Sequence, residues 1–192
     1  MAVTRRDQEA DPTSDNGGGS RGFTSRYAKY LIGGGFLLAG LIIFAIVWFQ
    51  PQKLFIEETA NEARPTVAAP TSSASALAQP ATVASGSFRS LEHRTTGRAE
   101  IIKLADGSHV LRFENLDTSN GPDLRVYLSE LPSTLGWHDY GRRYIELDKL
   151  KANRGNANYR IPAGTAITRY KSAVIWCVRF AVGFGVAPLN AA

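Results

Sequence analysis

The chain contains a single cysteine, Cys177, and this scarcity excludes several kinds of protein. One cysteine cannot form an internal disulfide, so a disulfide-stapled domain is excluded. No cysteine lies immediately after the hydrophobic run near the N-terminus, which excludes a lipoprotein anchor. The thiol is therefore either a small apolar side chain of the core or a reactive centre, and the sequence leaves both open.

Histidine is also rare, and the three in the chain are His93, His109 and His138. Their spacing to one another and to Cys177 lacks the short paired intervals of a zinc site, so the sequence predicts no metal. A site assembled in three dimensions from Cys177 and one histidine stays open. His93 is the better candidate because it lies in a turn-rich stretch, while a structural role is the alternative for each histidine.

Motifs for hydrolysis, phosphate binding and dinucleotide binding are missing, which favours a redox protein or a binding module over a turnover enzyme. Basic residues alternate with acidic ones and form no run, which argues against nucleic acid as a partner. Residues 86–192 hold fifteen basic and ten acidic side chains, the whole net charge of +5. This excess favours an anionic partner, such as lipid head groups, an acidic envelope polymer or an acidic redox protein.

One long hydrophobic run is present, and it extends from Leu31 to Phe49 without a charge. A helix of this length covers about 28 Å, close to the hydrocarbon thickness of a bilayer. Tyr30 and Trp48 flank the run, where amphipathic rings prefer the membrane interface. The sequence predicts a transmembrane helix over residues 30–50.

The distribution of basic residues around this run predicts its orientation. Arg21, Arg26 and Lys29 precede it, whereas only Lys53 follows closely. The N-terminus is therefore expected in the cytoplasm and the C-terminal domain outside it. Residues 50–52 offer no small-x-small cleavage site, so the run is expected to remain as a signal anchor of a single-pass cell-membrane protein.

The segments on either side of the run have the composition of disordered chain. Residues 1–29 are polar and include a glycine-rich stretch, which predicts a disordered cytoplasmic tail. Alanine, proline, serine and threonine make up about three-quarters of residues 59–85. Residues 51–85 are therefore predicted to be a flexible tether between the membrane and a domain that begins at residue 86.

From residue 86 onward the pattern is that of short strands. Asp106-Gly107 separates two alternating runs, 98–104 and 108–114, which is a strong signal for a hairpin. Leu124–Leu128 also alternates, with its apolar residues on one face. Further short strands are expected at 144–147, 158–161, 173–180 and 182–186. The sequence predicts an all-β fold, a compact antiparallel β-sandwich or barrel-like domain.

Cys177 lies in the most strand-like of these stretches. Strand alternation separates two faces: Val174, Trp176, Val178 and Phe180 on one, and Ile175, Cys177 and Arg179 on the other. Because Val182 and Phe184 continue the first pattern, that face is expected to be the core. Cys177 would then point away from the core beside Arg179, whose guanidinium would lower the pKa of the thiol.

A loop at residues 136–141 suggests a different function. Its aromatic residues, Trp137 and Tyr140, can either stack on a sugar ring or close the end of a sandwich. With the basic domain and the long tether, the loop favours a non-catalytic adhesion module that binds glycans or the cell envelope. This reading is the alternative to a redox protein.

Several blocks in the C-terminal half, taken in order, resemble a known family. They are Gly86–Phe88 with His93 and Gly97, Asp106-Gly107, Asn120–Leu128, Leu150–Pro162, Tyr170 with Val174–Phe180, and Phe184–Leu189. Residues 86–189 thereby resemble the DOMON-associated electron-transfer, or "DM thirteen", domain family.

The resemblance implies a β-rich electron-transfer domain with Cys177 at the family's redox position. It also implies that the cysteine acts either as a bare thiol or by holding a group such as haem. On this reading Arg179 would tune Cys177, His93 would be a second ligand, and a redox protein would be the partner.

Overall fold

The structure, a computed structural model, describes residues 21–49, 57–66 and 79–192. The described chain comprises an N-terminal helix and a β-domain, and each is treated by itself. Part of the predicted tail, residues 1–20, and parts of the predicted tether, residues 51–56 and 67–78, lie outside the described residues.

Helix α1 extends from Arg21 to Phe49. Its stretch Tyr30–Trp48 has a mean hydropathy of 2.5 and no buried residue, so it is long and apolar enough to cross a membrane. The predicted apolar helix is therefore confirmed. The prediction of a disordered tail is wrong for residues 21–29, which belong to the helix and contain no proline and only one glycine.

The β-domain consists of two sheets that pack face to face, which confirms the predicted all-β sandwich. One sheet has six strands in the order β1-β8-β5-β4-β2-β11, and the other has five in the order β3-β10-β9-β6-β7. Their bounds are β1 Thr59–Asn61, β2 Ala81–Ser87, β3 Arg89–Ser90, β4 Thr95–Lys103, β5 His109–Thr118, β6 Leu124–Ser129, β7 Tyr144–Lys149, β8 Arg154–Arg160, β9 Ser172–Cys177, β10 Val182–Pro188 and β11 Asn190–Ala191.

The predicted hairpin is confirmed as β4 and β5, which pair antiparallel with Lys103 opposite His109. Its tight turn depends on Gly107, whose φ of +81° lies in the left-handed region that glycine tolerates. The hairpin is the centre of the six-stranded sheet, because β2 adds to one side and β8 to the other.

The main core lies between the two sheets and is built by strand alternation. Leu124, Val126 and Leu128 of β6 all lie in it, as their spacing predicts. Phe113 of β5 and Tyr159 of β8 face them from the other sheet. A second apolar cluster lies on the outer face of the five-stranded sheet, beneath the loop of residues 130–143.

The predicted tether contains two strands of the domain. Residues 59–61 form β1, which pairs in parallel with β8, and residues 81–85 belong to β2. The prediction of a flexible chain is therefore wrong for these two parts, and the predicted boundary at residue 86 lies inside β2. The predicted tether has few apolar side chains to bury. Strand pairing and ion pairs with the rest of the domain hold its ordered parts in place instead.

Candidate functional site

Cys177 is the last residue of β9 and lies fully buried in the main core. The prediction that it faces away from the core is wrong. Both faces of β9 are buried: Ile175 and Cys177 face the main core, and Val174 and Trp176 face the outer cluster. An alternating pattern assigns a core face only when the opposite face is solvated, and here a loop covers that face.

The strand ends at Cys177, and the chain turns over residues 178–181 into β10. Cys177 pairs with Val182 across this hairpin, and Ala181 has a positive φ of 53°. The predicted strand over 173–180 is therefore too long. Val178 is exposed instead of buried, and Arg179 lies in the turn and not on the strand face of Cys177.

The surroundings of the thiol raise its pKa, chiefly because burial disfavours the charged thiolate. The backbone amides of Phe180, Asp123 and Arg179 favour the thiolate and oppose this effect, and the negative charge of Asp123 adds to it. The expected lowering of the pKa by the Arg179 guanidinium is wrong, since Arg179 acts through its backbone amide. At neutral pH the group is a protonated thiol.

His93 lies in the bend before β4, with its ring centroid 3.9 Å from that of Phe184. Its Nε2 atom is 2.6 Å from a carboxylate oxygen of Glu92. These contacts give His93 a carboxylate partner at the surface, whereas Cys177 is enclosed by the backbone of residues 123 and 179–180. The structure therefore does not bring the two predicted ligands together into one pocket.

Haem at Cys177 does not fit this arrangement. A thiolate-ligated haem needs an ionised sulfur that points into a space for the macrocycle. Neither Cys177 nor His93 lines the cavities that the described residues form around Asn153, Trp176, Ile167 and Pro122, and burial favours the protonated thiol. Among the described residues, no group of three or more His, Cys, Asp or Glu side chains is placed to hold a metal ion.

A surface cavity of about 620 Å³ lies over the outer face of the five-stranded sheet, close to the β9–β10 turn. Three stacked rings line it, those of Tyr127, Tyr144 and Trp176. Sequence reasoning missed this site. The sequence signal for it was Tyr127. This residue lies on the face of β6 opposite the apolar one, where a strand exposed to solvent would carry a polar residue.

The aromatic loop proposed for glycan binding contributes only in part. Tyr140 is fully buried, and its hydroxyl donates to the carbonyl of Pro132 at 2.9 Å, so it packs the outer cluster. Trp137 is 43% exposed and packs on His138, a residue of the cavity lining. Tyr140 is thus a core residue, while Trp137 lies at the surface.

Comparison with known families identifies the domain. The family model described as electron transfer DM13 matches residues 87–189, more than half of the chain, and this range contains strands β3 to β10. Neither a curated protein nor a solved structure matches the chain. On the strength of the family match, the chain belongs to the electron transfer DM13 family.

Proposed function

We propose that this protein is a single-pass membrane protein that presents its electron-transfer domain outside the cytoplasm, with Cys177 as the redox residue. The family match supports the electron-transfer role. The apolar stretch Tyr30–Trp48 supports the anchor. The basic residues that precede this stretch support a cytoplasmic N-terminus.

The orientation is tested separately from the chemistry. A reporter that is active only outside the cytoplasm, fused after Ala192, is expected to be active. A variant that moves the positive charge, with Arg21, Arg26 and Lys29 replaced by Gln and basic residues added after Phe49, is expected to lose that activity. Activity of a second reporter, one that works only in the cytoplasm, at the same position after Ala192 would contradict the proposed orientation.

The observation that carries the role of Cys177 is its full burial at the end of β9, near the backbone amides of residues 123, 179 and 180, in a domain of this family. Amides at this position favour negative charge on sulfur, whereas burial keeps the group protonated until it is oxidised. The sulfur is inaccessible to a second thiol, so disulfide exchange would require the 178–181 turn to open. Electron transfer without bond formation to a partner requires no such opening.

The proposed step is a one-electron oxidation. Cys177 gives one electron to an external one-electron acceptor, and its S–H bond breaks to leave a thiyl radical. The proton passes to the carboxylate of Asp123, whose charge already acts on the thiol, and from there to solvent. This carboxylate is partly exposed and accepts a hydrogen bond from Arg125 at 2.7 Å.

Voltammetry of the full chain in lipid nanodiscs tests the proposal. Wild type is expected to give a one-electron wave that disappears in both Cys177→Ser and Cys177→Ala, while circular dichroism confirms that both variants are folded. Two variants are needed because serine adds a buried hydroxyl and alanine leaves a small cavity. An unchanged wave in folded variants, or no wave in wild type, would overturn the role of Cys177.

A second candidate function, glycan or envelope binding, is favoured by the surface of the aromatic cavity. Tyr144 is exposed in its lining, near the charged side chains of Asp139 and Arg142, and the exposed ring of Trp137 packs on His138 of the same lining. Binding to an anionic polysaccharide that weakens with salt and with Tyr144→Ala, but survives Cys177→Ser, would support it. Equal binding by wild type and Tyr144→Ala would exclude this cavity as the binding site.

A further inference from the structure

Three aromatic rings on adjacent strands of the five-stranded sheet form a continuous stack. The rings of Tyr144 and Tyr127 are nearly parallel, with an interplanar angle of 8° and centroids 3.9 Å apart. The ring of Trp176 follows, 6.3 Å from Tyr127 at an angle of 26°. The order is fixed by the sheet, because β6 pairs with β7 on one side and with β9 on the other.

The stack runs from solvent into the protein. Tyr144 is 38% exposed, whereas Tyr127 and Trp176 are 2% and 5% exposed. All three rings line the cavity of about 620 Å³, so a partner at the surface can approach the outer ring directly. Trp176, at the inner end of the stack, is the residue before Cys177 on β9. The two side chains lie on opposite faces of the sheet.

The two tyrosines interact at close range. Burial, the largest cause, together with the neighbouring side chain of Tyr144, raises the pKa of Tyr127. A buried phenol is hard to oxidise if its proton has no acceptor, because the charged product would remain in a medium of low polarity. Tyr144, whose ring centroid lies 3.9 Å from that of Tyr127 and which is 38% exposed, links the buried phenol to the surface.

We propose that Tyr144, Tyr127 and Trp176 form an aromatic relay that carries single electrons between the surface cavity and the interior of the domain. The relay deepens the proposed electron-transfer function and rests on it. It supplies a path to a sulfur that no partner can touch. Its expected partner is a one-electron oxidant that docks over Tyr144.

Each step of the relay balances. An external one-electron oxidant takes an electron from Tyr144, whose phenolic proton goes to water, and a neutral phenoxyl radical remains. Tyr127 then passes one electron and its hydroxyl proton to Tyr144, which restores the Tyr144 phenol and leaves the radical on Tyr127. An electron from Trp176, with a proton returned from water through Tyr144, restores Tyr127 and leaves an indole radical cation.

The test is photo-oxidation of the full chain in nanodiscs by a ruthenium(III) polypyridyl complex, with the radicals trapped by freezing and identified by electron paramagnetic resonance. Tyr27 and Tyr30 of helix α1 are exposed and would add signal, so all proteins carry Tyr27→Phe and Tyr30→Phe. The test variant adds Tyr127→Phe and Tyr144→Phe. The matched control adds Tyr159→Phe, which removes an equally buried tyrosine from the other sheet.

The tyrosyl radical signal is expected to lose most of its amplitude in the Tyr127/Tyr144 variant and to remain in the Tyr159 control. Tyr127→Phe alone should leave a radical on Tyr144, because the Tyr144 phenol is intact while the transfer from Tyr127 is blocked. An equal signal in the test variant and its control, with both proteins folded, would overturn the relay.

The two proposals fail separately. If the relay works and Cys177 supplies electrons to it, Cys177→Ser should prolong the radical without reducing its initial amplitude. A relay signal whose lifetime is unchanged by Cys177→Ser would overturn the role of the thiol and leave the relay supported. The converse result is loss of the voltammetric wave in Cys177→Ser while the radical does not depend on Tyr127 and Tyr144. That result would support the role of the thiol and overturn the relay.

Discussion

The guanidinium of Arg64 lies 2.7 Å from the carboxylate of Glu100, and this ion pair joins the segment before the family domain to β4. The same guanidinium donates to Glu114 of β5 at 2.7 Å. Glu62 of this segment pairs with Lys151 at 2.8 Å. Residues 57–66 are therefore held at the edge of the six-stranded sheet by the pairing of β1 with β8, and over its central strands by the ion pairs of Arg64.

Replacing Arg64 with alanine is expected to lower the free energy of unfolding by about 1 kcal/mol, because Glu100 is largely buried while Arg64 is half exposed and screened. Thermal unfolding of the full chain in nanodiscs measures the change. Arg142→Ala is the control, since its guanidinium is 70% exposed and 4.0 Å from Asp139. Equal melting temperatures for the two variants would contradict a structural role for the Arg64 pairs.

Acid is expected to destabilise the domain through Glu114. The hydrogen bond from Arg112, the largest cause, and the charges of Arg64 and Arg112 hold the pKa of Glu114 below 4.5. A carboxylate with a depressed pKa contributes stability above its unfolded pKa and loses it as the pH falls through the folded pKa. The melting temperature of wild type should therefore fall below about pH 4.5 more steeply than that of Glu114→Gln. Parallel curves would rule out this contribution.

Docking of β1 depends on a glycine in β8. Gly155 has a φ of +92°, and a Cβ atom there would collide with the carbonyl oxygen of Ala60. Gly155→Ala is expected to destabilise the domain by about 1–3 kcal/mol and to expose the amides of residues 59–62 to hydrogen exchange. Gly164→Ala is the matched control, because Gly164 also has a positive φ but no neighbour within 4 Å. Equal exchange at residues 59–62 in both variants would contradict the steric argument.

The fold class was predictable because it depends on local patterns that the sequence contains. Asp106-Gly107 between alternating runs specifies the β4–β5 hairpin, and Leu124, Val126 and Leu128 specify one buried face of β6. The role of residues 57–66 was not predictable in this way. This short, largely polar segment lacks a strand pattern, and its docking depends on ion-pair partners such as Glu100 and Lys151, far away in sequence.

The sequence predicted which residue is the candidate redox site, but it did not predict the surroundings of that residue in the fold. The lone Cys177 identified itself by composition and family resemblance, but its orientation depended on whether a loop covers the outer face of β9. That loop, residues 130–143, carries no strand or helix period. The stack of Tyr144, Tyr127 and Trp176 depends on the order of β7, β6 and β9 in the sheet, which a single sequence does not reveal.

Cys177 is expected to react slowly with a water-soluble alkylating reagent while the domain is folded, because the thiol is fully buried and burial raises its pKa above 9.0. In denaturant the reaction should be at least about tenfold faster, since exposure of a core residue requires local or global opening. Val178→Cys in a Cys177→Ser background is the matched control, because the neighbouring position is 43% exposed. The reaction is followed by mass spectrometry of the intact chain. The control should be modified rapidly in the native state. Native alkylation of Cys177 as fast as that of the control would mean that the 178–181 turn opens readily, and thiol exchange with a partner would then replace outer-sphere electron transfer as the favoured chemistry.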